Sequence, residues 1–538
     1  MKDLLKNLAL SALILAVASP VFAAPKAKAW KVNKDGTADI TLWYGAAVTE
    51  AGPPPKDWVG YSIIKEKLGI NLIMTALPSS ESDQDTKINA AAASKSLPDF
   101  LMITSTTFPL LVKQGVLADV SDMYAMMPER TKKLYDSDAI SFTTVNGKSY
   151  ALAQPGSIAK NEGVLIREDW LKNLGLAVPK TTDEFFNVMK AFTERDPDGN
   201  GKNDTWGYGG FSELSGSNEG LGKRYDPIFG AFGVAGTWNL TKAGFGLNVT
   251  KPEYYEAMQY MKKLVDEKVI DPNWTAYKKD DFRAAWKQGK FGIFREQMAA
   301  YASEANYAPF DQNFPNGGFL IIDPPVGPKG KSSAGTYTIA YRMYALSALT
   351  ANSLSDKPIK GKKVTKMQKI AELLEWMSSD EGYYLLGWGQ KGINYVLDEN
   401  GIPTIKGLPD ESKGFSKPEM QPLTQLRNLV YYNSDIELGA RYPTYVTAVS
   451  KKKMSALTAL REMQSKAWTA CVGVDMLPQP NADLKRFYEQ GVVEFLTGRR
   501  ELNKANWDAW VKEFYEQRGG KAWEDEARKI AEEKRLLK

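Results

Sequence analysis

The sequence predicts an α/β protein with two or more domains. Its 538 residues exceed what one hydrophobic core usually accommodates. Near the start of the chain, apolar strand-like runs alternate with helix-like segments, a pattern typical of a parallel sheet covered by helices. A Gly/Pro-rich run at 323–335 interrupts the pattern and indicates a connection between domains. The 43% hydrophobic and 25% charged residues are typical of a globular protein.

Residues 1–23 have the features of a secretory signal peptide. Two lysines precede an apolar run at 8–17, and small residues follow, so we expect cleavage after Ala23. The alternative, an N-terminal anchor helix, needs a longer apolar run. The single cysteine, Cys471, allows no intramolecular disulfide, and the cleavage site has no cysteine for a lipid. We therefore expect a non-lipidated periplasmic protein whose mature chain does not insert into the membrane, with secretion as the alternative.

The sequence contains no histidine, and this excludes several classes of enzyme. Ser-His-Asp and Cys-His mechanisms, His-ligated zinc and the H-E-x-x-H metalloprotease site all require that residue. Acid-base catalysis by paired carboxylates needs no histidine. We therefore keep two alternatives, a protein without catalytic activity and a carboxylate-pair glycosidase. The formal net charge of +5 is small for this length and gives no reason to expect nucleic-acid binding.

The first part of the chain begins with a predicted βαβ unit. Gly69 ends the first helix, and Asn146-Gly147 lies between two apolar runs and predicts a type I′ hairpin turn. The predicted elements are strands at 40–44, 70–75 and 98–103 and helices at 58–68 and 83–94.

The next part continues with a strand and short helix at 163–175. Thr181 and Glu184 then form a predicted capping box, and apolar residues follow at helical spacing: Phe185, Val188, Met189 and Phe192. Later predicted elements are strands at 290–294 and 337–346 and helices at 252–269, 281–289, 367–377, 484–496 and 506–518.

The loop at 196–206 reads D-P-D-G-N-G-K-N-D-T-W and resembles a cation-binding loop. Oxygen-bearing side chains occupy positions one, three and five, at Asp196, Asp198 and Asn200, the spacing that directs hard ligands to one calcium ion. The Lys202 carbonyl and Asp204 continue the set at positions seven and nine. The loop therefore predicts a calcium site, with an ordinary turn as the alternative.

Position twelve of this loop departs from the EF-hand pattern. It is Gly207, where an EF-hand carries a bidentate glutamate. We therefore expect a static, structural calcium site rather than a calcium sensor.

Several segments occur in an order that carries a resemblance to a known family. After the signal peptide come I-T-L-W-Y, S-L-P-D-F-L-M-I-T, G-K-S-Y-A-L-A-Q-P, L-I-R-E-D-W-L-K-N-L-G-L-A-V-P-K-T-T-D-E-F, F-R-A-A-W-K-Q-G-K-F-G-I-F, G-W-G-Q-K-G-I-N-Y and W-D-A-W-V-K-E-F-Y-E-Q-R-G-G. In this order the chain resembles the extracellular solute-binding proteins of carbohydrate ABC transporters, especially those that bind alginate oligosaccharides. The resemblance spans nearly the whole mature chain.

This resemblance implies a periplasmic binding protein fold, in which two discontinuous α/β lobes close around a ligand cleft by hinge motion. Lobe 1 would comprise 24–155 and 336–392, and lobe 2 would comprise 156–335 and 393–538. The expected ligand is an oligosaccharide, the expected partners are ABC permease subunits, and we expect a monomer. A peptide or lipid-precursor binder of the same fold is a further alternative.

The resemblance also bears on the calcium loop. In calcium-bearing members the ion is held beside the positions matched by Asp196, Asp198, Asn200, Lys202 and Asp204. The next position is often glutamate there and is Thr205 here, so one carboxylate is missing. We expect the loop to clamp one lobe at a distance from the cleft.

No motif identifies the sugar contacts. Sugars stack their C–H faces on aromatic rings, so aromatic residues near predicted crossings and strand ends are candidates, with core packing as the alternative for each. They are Trp43, Tyr44, Trp206, Trp238, Trp274, Trp388, Tyr395 and Tyr442. Arg342 and Arg441 would pair with a uronic-acid carboxylate, with an ordinary ion pair as the alternative.

Overall fold

A computed structural model describes the chain from residue 29 to residue 537 with internal gaps. The gaps are 46–54, 79–80, 136–139, 141–142, 154–159, 213–221, 338–341, 360, 416–428, 431–437, 441, 472 and 475–476. The predicted signal peptide and Arg441 therefore lie outside the described residues.

The described residues form short strands and many helices. The strands are β1 (Ala38–Gly45), β2 (Ile70–Leu77), β3 (Phe100–Thr104), β4 (Thr144–Val145), β5 (Lys148–Ser149), β6 (Leu152–Ala153), β7 (Glu162–Arg167), β8 (Trp206–Gly209), β9 (Trp238–Asn239), β10 (Gly246–Leu247), β11 (Phe291–Gln297), β12 (Phe319–Ile322), β13 (Thr336–Tyr337), β14 (Arg342–Leu346), β15 (Val396–Leu397), β16 (Pro403–Thr404), β17 (Tyr445–Val446), β18 (Lys453–Met454) and β19 (Thr469–Ala470). The α-helices are α1 (Val59–Leu68), α2 (Glu81–Ala93), α3 (Phe108–Lys113), α4 (Ser121–Met126), α5 (Glu129–Lys132), α6 (Glu168–Leu174), α7 (Thr182–Glu194), α8 (Asp226–Gly230), α9 (Pro252–Asp266), α10 (Lys279–Lys287), α11 (Met298–Tyr301), α12 (Glu304–Asn313), α13 (Lys366–Met377), α14 (Asp380–Trp388), α15 (Ala456–Ser465), α16 (Ala482–Thr497), α17 (Lys504–Lys512) and α18 (Gly520–Glu533).

Lobe 1 is organised around a five-stranded sheet with the order β2-β1-β3-β14-β6. The strand β1 runs parallel to β2 and β3, which confirms the predicted βαβ start. Gly69 ends α1 with a φ of 64°, a conformation that glycine adopts without steric cost. The strand β14 returns antiparallel to β3, so the sheet is mixed.

Lobe 2 is organised around a four-stranded sheet with the order β12-β7-β11-β8. The strand β7 is antiparallel to both β11 and β12, whereas β8 is parallel to β11. The helix α7 begins at Thr181, and the predicted capping box with Glu184 is present. The four apolar residues predicted for its inner face are all buried, so this helix matches the sequence prediction.

The C-terminal helices pack on lobe 2. The hydroxyl groups of Tyr254 on α9 and Tyr488 on α16 lie 2.6 Å apart. On α18, a Glu524 carboxylate oxygen accepts a hydrogen bond of 2.9 Å from the Leu247 N–H. Because strands from both 38–153 and 342–346 build the first sheet, the chain passes between the lobes more than once. The boundaries of the two lobes stay predictions.

Three predicted elements differ in detail from the structure. The prediction of one continuous strand at 337–346 is wrong. The segment contributes two strands with different partners, because β13 pairs with β19 whereas β14 pairs with β3. The helix predicted at 252–269 ends at Asp266, since Lys268 adopts a φ of 56° that a right-handed helix does not allow. The Asn146-Gly147 hairpin is confirmed, with φ values of 49° and 77°, but its strands β4 and β5 have two residues each.

Among the described residues, no helix is both long and apolar enough to cross a membrane.

Candidate functional site

A buried ionic network lies at the edge of the lobe 2 sheet where β7 begins and β11 ends. The Arg295 Nε atom lies 3.3 Å from Glu162 Oε2, and an Arg224 Nη2–Glu296 Oε1 contact of 3.1 Å extends the network. Arg283 adds a 3.1 Å contact to the second Glu296 oxygen. The Glu296 side chain is fully buried, so the network fixes the backbone where β7 begins and β11 ends.

The charges in this network compensate one another. Burial of Glu162 by itself would raise the pKa of its carboxyl, but the nearby Arg295 and Arg224 charges outweigh burial and lower the pKa to about 2. Asp226 accepts a 3.4 Å contact from Arg295 and brings a third carboxylate to the three arginines. The network thus holds three arginines against three carboxylates, and the nearby Lys223 charge also lowers the pKa of Glu162.

Two half-buried aromatic rings stand beside this network. Tyr337 and Trp468 are brought together by the parallel pairing of β13 with β19, and their ring planes meet at 89° with centroids 6.4 Å apart. The Trp468 indole N–H donates to the Met463 carbonyl at 2.9 Å, which fixes the ring orientation. The Arg295 guanidinium lies 5.6 Å from the Trp468 ring. We call Tyr337 and Trp468 the aromatic corner.

A lysine lies against the aromatic corner. The Lys160 ammonium is 4.6 Å from the centroid of the Tyr337 ring. Lys160 precedes β7, so a cation and two rings meet where two chain segments cross between the lobes.

The facing part of lobe 1 is close to this corner because the connection is short. Four residues separate Tyr337 from Arg342 at the start of β14, so their Cα atoms are at most about 18 Å apart. Arg342 is directly opposite Thr104, the last residue of β3. The Thr104 hydroxyl donates to the Asp85 carboxylate at 2.9 Å. Polar groups therefore occupy this edge of the lobe 1 sheet.

Trp43 lies near the same edge of lobe 1. It is the third residue from the end of β1 and is half-buried. The Lys87 ammonium lies 4.8 Å from the centroid of its ring. Of the aromatic residues predicted to bind ligand, Trp43, Trp206 and Tyr442 retain partly exposed side chains, but Trp206 begins β8, at the end of that strand away from this region. Tyr442 packs against the aromatic core around β11 and β12.

The other predicted aromatic residues lie in the cores of the lobes. The buried side chains are Tyr44, Trp238, Trp274, Trp388 and Tyr395. Trp238, for example, is 1% exposed and contacts Phe245 and Trp523, with ring centroids 5.6 and 4.9 Å away. This burial favours the core-packing alternative for these five residues, and the structure does not bring them together in one site. The sequence did not single out Lys160 or Trp468.

A pocket of about 690 Å³ opens elsewhere on lobe 2, along β12 and α15. Its walls include Tyr301, Phe319, Met454 and Lys466, and none of the residues predicted to bind ligand lines it. The pocket is not lined by Lys160 or by the aromatic corner either, so it is separate from both.

The predicted calcium loop follows α7 and precedes β8. The Asn200 Nδ2 atom lies 3.0 Å from Asp198 Oδ2 and 3.2 Å from Asp204 Oδ1, so three polar side chains meet at one point. Asp196 accepts hydrogen bonds from the N–H groups of Asn200 and Gly201, at 3.1 and 2.9 Å. The loop thus folds around its own side-chain oxygens.

The two carboxylates at the start of the loop differ in their pKa. The Gly201 N–H lowers the pKa of Asp196, whereas partial burial, the Asp196 hydrogen bond and the Asp204 charge raise the pKa of Asp198. Partial burial first, and the neighbouring carboxylates second, therefore oppose ionisation of Asp198.

Two residues of the loop make further hydrogen bonds in the described structure. The Lys202 N–H donates to Asn200 Oδ1 at 2.8 Å, and the Thr205 hydroxyl donates to the Phe192 carbonyl at 2.8 Å, so Thr205 is turned towards α7. Within the described part of the chain, no group of three or more His, Cys, Asp or Glu side chains has a metal-binding arrangement. Metal binding here would depend on Asn200, backbone carbonyls and water as well as on carboxylates.

Two lobes with separate sheets, joined by crossing segments and bordered there by polar and aromatic residues, define a two-lobed solute-binding protein. Residues 65–384, more than half of the chain, match the family described as bacterial extracellular solute-binding protein, and this chain belongs to that family.

Comparison with individual proteins agrees with this assignment. A polygalacturonan/rhamnogalacturonan-binding protein of Bacillus subtilis is 28% identical over 389 residues, which cover 69% of this chain and 70% of that protein. The structure of an HMO-binding, ABC-transporter-associated solute-binding protein from Bifidobacterium longum infantis is similar, with a TM-score of 0.67, 18% identity and coverage of 94% of this chain and 100% of the other. The alginate-binding protein AlgQ2, solved without calcium ion, aligns with a TM-score of 0.63, 14% identity and coverage of 93% and 99%.

Proposed function

We propose that this protein captures an oligosaccharide between its lobes and delivers it to the membrane permease of an ABC importer. The observation that carries the proposal is the aromatic corner, which presents two perpendicular, half-buried rings at the crossing between the lobes. A pyranose offers an apolar C–H face that packs on such a ring, and its hydroxyl groups pair with nearby polar side chains. The similarity to a polygalacturonan/rhamnogalacturonan-binding protein of Bacillus subtilis supports a carbohydrate ligand.

A glycan panel tests this proposal. Calorimetry and thermal shift with purified protein should identify at least one oligosaccharide that binds and raises Tm. Trp468→Ala should weaken its binding about tenfold or more, because a stacked aromatic ring contributes on the order of 1.5 kcal/mol.

Trp206→Ala is the matched control. Trp206 is also half-buried, but it begins β8 and lies at the opposite end of that strand from the crossing. Its replacement should leave affinity within about twofold. Absence of binding to every glycan, or equal losses in both variants, would argue against the site.

The protein then acts by binding alone and performs no chemistry. The glycosidase alternative predicts release of new reducing ends when the bound oligosaccharide is incubated with the protein. We expect no release above the buffer control, and measurable turnover that tracks the purified protein would revive that alternative.

We also propose that the loop at 196–206 holds a structural calcium ion. The Asn200 amide nitrogen lies between the carboxylates of Asp198 and Asp204. Rotation of the amide would direct its oxygen between the same two carboxylates, where all three side chains could bind one cation. A bound ion would also remove the charge crowding around Asp198. Asp196, Asp198, Asn200, Asp204 and the Lys202 carbonyl are the proposed ligands, with water in place of the Thr205 side chain.

Chelation tests the calcium proposal. EDTA should lower Tm, calcium should restore it, and Asp198→Ala should abolish the response while oligosaccharide affinity changes little. Asp122→Ala, which removes an exposed aspartate in the first turn of α4, is the control and should keep the full response. An unchanged Tm after chelation, or loss of sugar binding in stable Asp198→Ala protein, contradicts a structural role.

For the cellular location, we propose export to the periplasm with cleavage after Ala23 and without lipidation. Fractionation should recover a soluble monomer of the mature mass, detected by mass spectrometry. Recovery from membranes with an added lipid mass would contradict this proposal.

A further inference from the structure

Lys160 has an unusual position for a lysine beside a ligand site. Its ammonium lies on the Tyr337 ring, and among the described residues no carboxylate lies within ion-pairing distance of it. A half-buried ammonium whose described contact is the face of a ring retains most of its capacity to pair with an anion.

The neighbouring network does not neutralise this charge. Glu162 lies two residues further along the chain, but it is engaged by Arg295 and Arg224 at 3.3 and 3.8 Å. The carboxylates of the network are thus engaged by arginines, and Lys160 adds a positive charge at the aromatic corner that no described carboxylate pairs with.

We propose that the aromatic corner binds an acidic sugar, a uronic acid residue of an oligosaccharide, whose carboxylate pairs with Lys160. This inference rests on the proposed function and specifies its substrate class. The pyranose ring packs in the angle between Tyr337 and Trp468, and the Lys160 ammonium leaves the Tyr337 face to bind the carboxylate. Lys160 and Tyr337, which contact each other in the free protein, would then both contact the ligand.

The parts of this subsite are held in position before ligand arrives. The Trp468 ring is fixed by its hydrogen bond to the Met463 carbonyl, and the Thr469 hydroxyl donates to Ser333 Oγ at 2.9 Å. Preorganised rings lose little conformational entropy on binding. Lys160, in contrast, has a flexible chain that reaches a carboxylate in several orientations.

The chain offers a matched control for Lys160. The Lys263 ammonium lies 3.7 Å from the centroid of the Phe186 ring, in the same kind of cation–ring contact. Lys263 is on α9 and Phe186 is on α7, so this pair belongs to the helical layer of lobe 2 and not to the crossing. Loss of either lysine should have the same effect on folding but a different effect on binding.

The experiment compares acidic oligosaccharides with their neutral counterparts. The probes are trisaccharides of galacturonate, mannuronate, guluronate and glucuronate, each paired with its methyl ester, together with neutral gluco-, galacto- and fructo-oligosaccharides. Calorimetry should give at least one acid that binds tenfold or more tightly than its ester, with an affinity that falls as salt increases. Lys160→Gln should remove that difference, Lys160→Arg should retain most of it, and Lys263→Gln should leave it unchanged.

The outcomes separate this inference from the proposed function. Tight binding of neutral oligosaccharides with no preference for an acid over its ester overturns the acidic-sugar inference and leaves oligosaccharide capture in place. A preference for the acid that persists in Lys160→Gln also overturns it. Failure to bind any probe, acidic or neutral, overturns both.

Discussion

Replacing Glu296 with glutamine removes the carboxylate that holds two arginines at the end of β11. The Arg224 and Arg283 side chains both contact Glu296 at 3.1 Å, and the Glu296 side chain is fully buried. Loss of one partner from a buried ion pair costs about 3–5 kcal/mol, because the remaining charge is desolvated and uncompensated. Arg224 keeps the Arg295 carbonyl at 2.6 Å, and the Arg283 side chain is 19% exposed and can rehydrate. We therefore expect the lower end, about 3 kcal/mol.

Calorimetry measures this loss. A destabilisation of about 3 kcal/mol lowers Tm by about 4–5 °C, because the predicted lobe 2 has about 330 residues and the entropy of unfolding is about 2.1 cal/mol/K per residue. Arg283→Met in the Glu296→Gln background should recover part of the loss, because it removes one uncompensated charge.

Glu168→Gln is the matched control for this substitution. It breaks an exposed pair with Lys172, at 2.7 Å, and should change stability by less than about 0.5 kcal/mol. A Tm for Glu296→Gln within about 1 °C of the control would refute the reasoning.

Three further predictions concern single positions. Glu162→Gln should flatten the pH dependence of stability, as measured by urea titrations at several pH values. The pKa of Glu162 is lowered from 4.5 to about 2 in the folded protein. The ionised Glu162 therefore contributes about 3 kcal/mol to stability above pH 4.5, and this contribution is lost as the pH falls to 2. Thr181→Ala should cost about 1 kcal/mol in the same assay by removing the hydroxyl that accepts from the Glu184 N–H, and Thr181→Ser should not. Gly209→Ala should cost about 1–3 kcal/mol and lower Tm in calorimetry, since the new methyl group would lie 2.1 Å from the Phe291 ring.

Local signals explain which parts of the fold the sequence could predict. The glycine after α1, the Thr181–Glu184 capping box and the Asn146-Gly147 turn each act within a few residues, so each is visible in the sequence and present in the structure. The division of 337–346 into two strands was not visible, because partners far away in the chain decide it: β13 pairs with β19, and β14 pairs with β3. Apolar periodicity identifies a strand but not its partner.

The difference between local signals and long-range pairing also explains why most aromatic residues that the sequence identified as candidates for ligand contacts lie in the cores of the lobes. Trp238, Trp274 and Trp388 lie near turns in the sequence, and composition gives no sign that each is at most 3% exposed. Trp468 follows a surface helix in an unremarkable segment, and it reaches the crossing because β19 pairs with a strand more than a hundred residues earlier. Lys160 and Glu162 likewise acquire their roles from partners on β11 and β13. Residues that join two lobes are selected by long-range pairing, so the ligand contacts of a two-lobed binding protein are the part of it that local patterns predict least well.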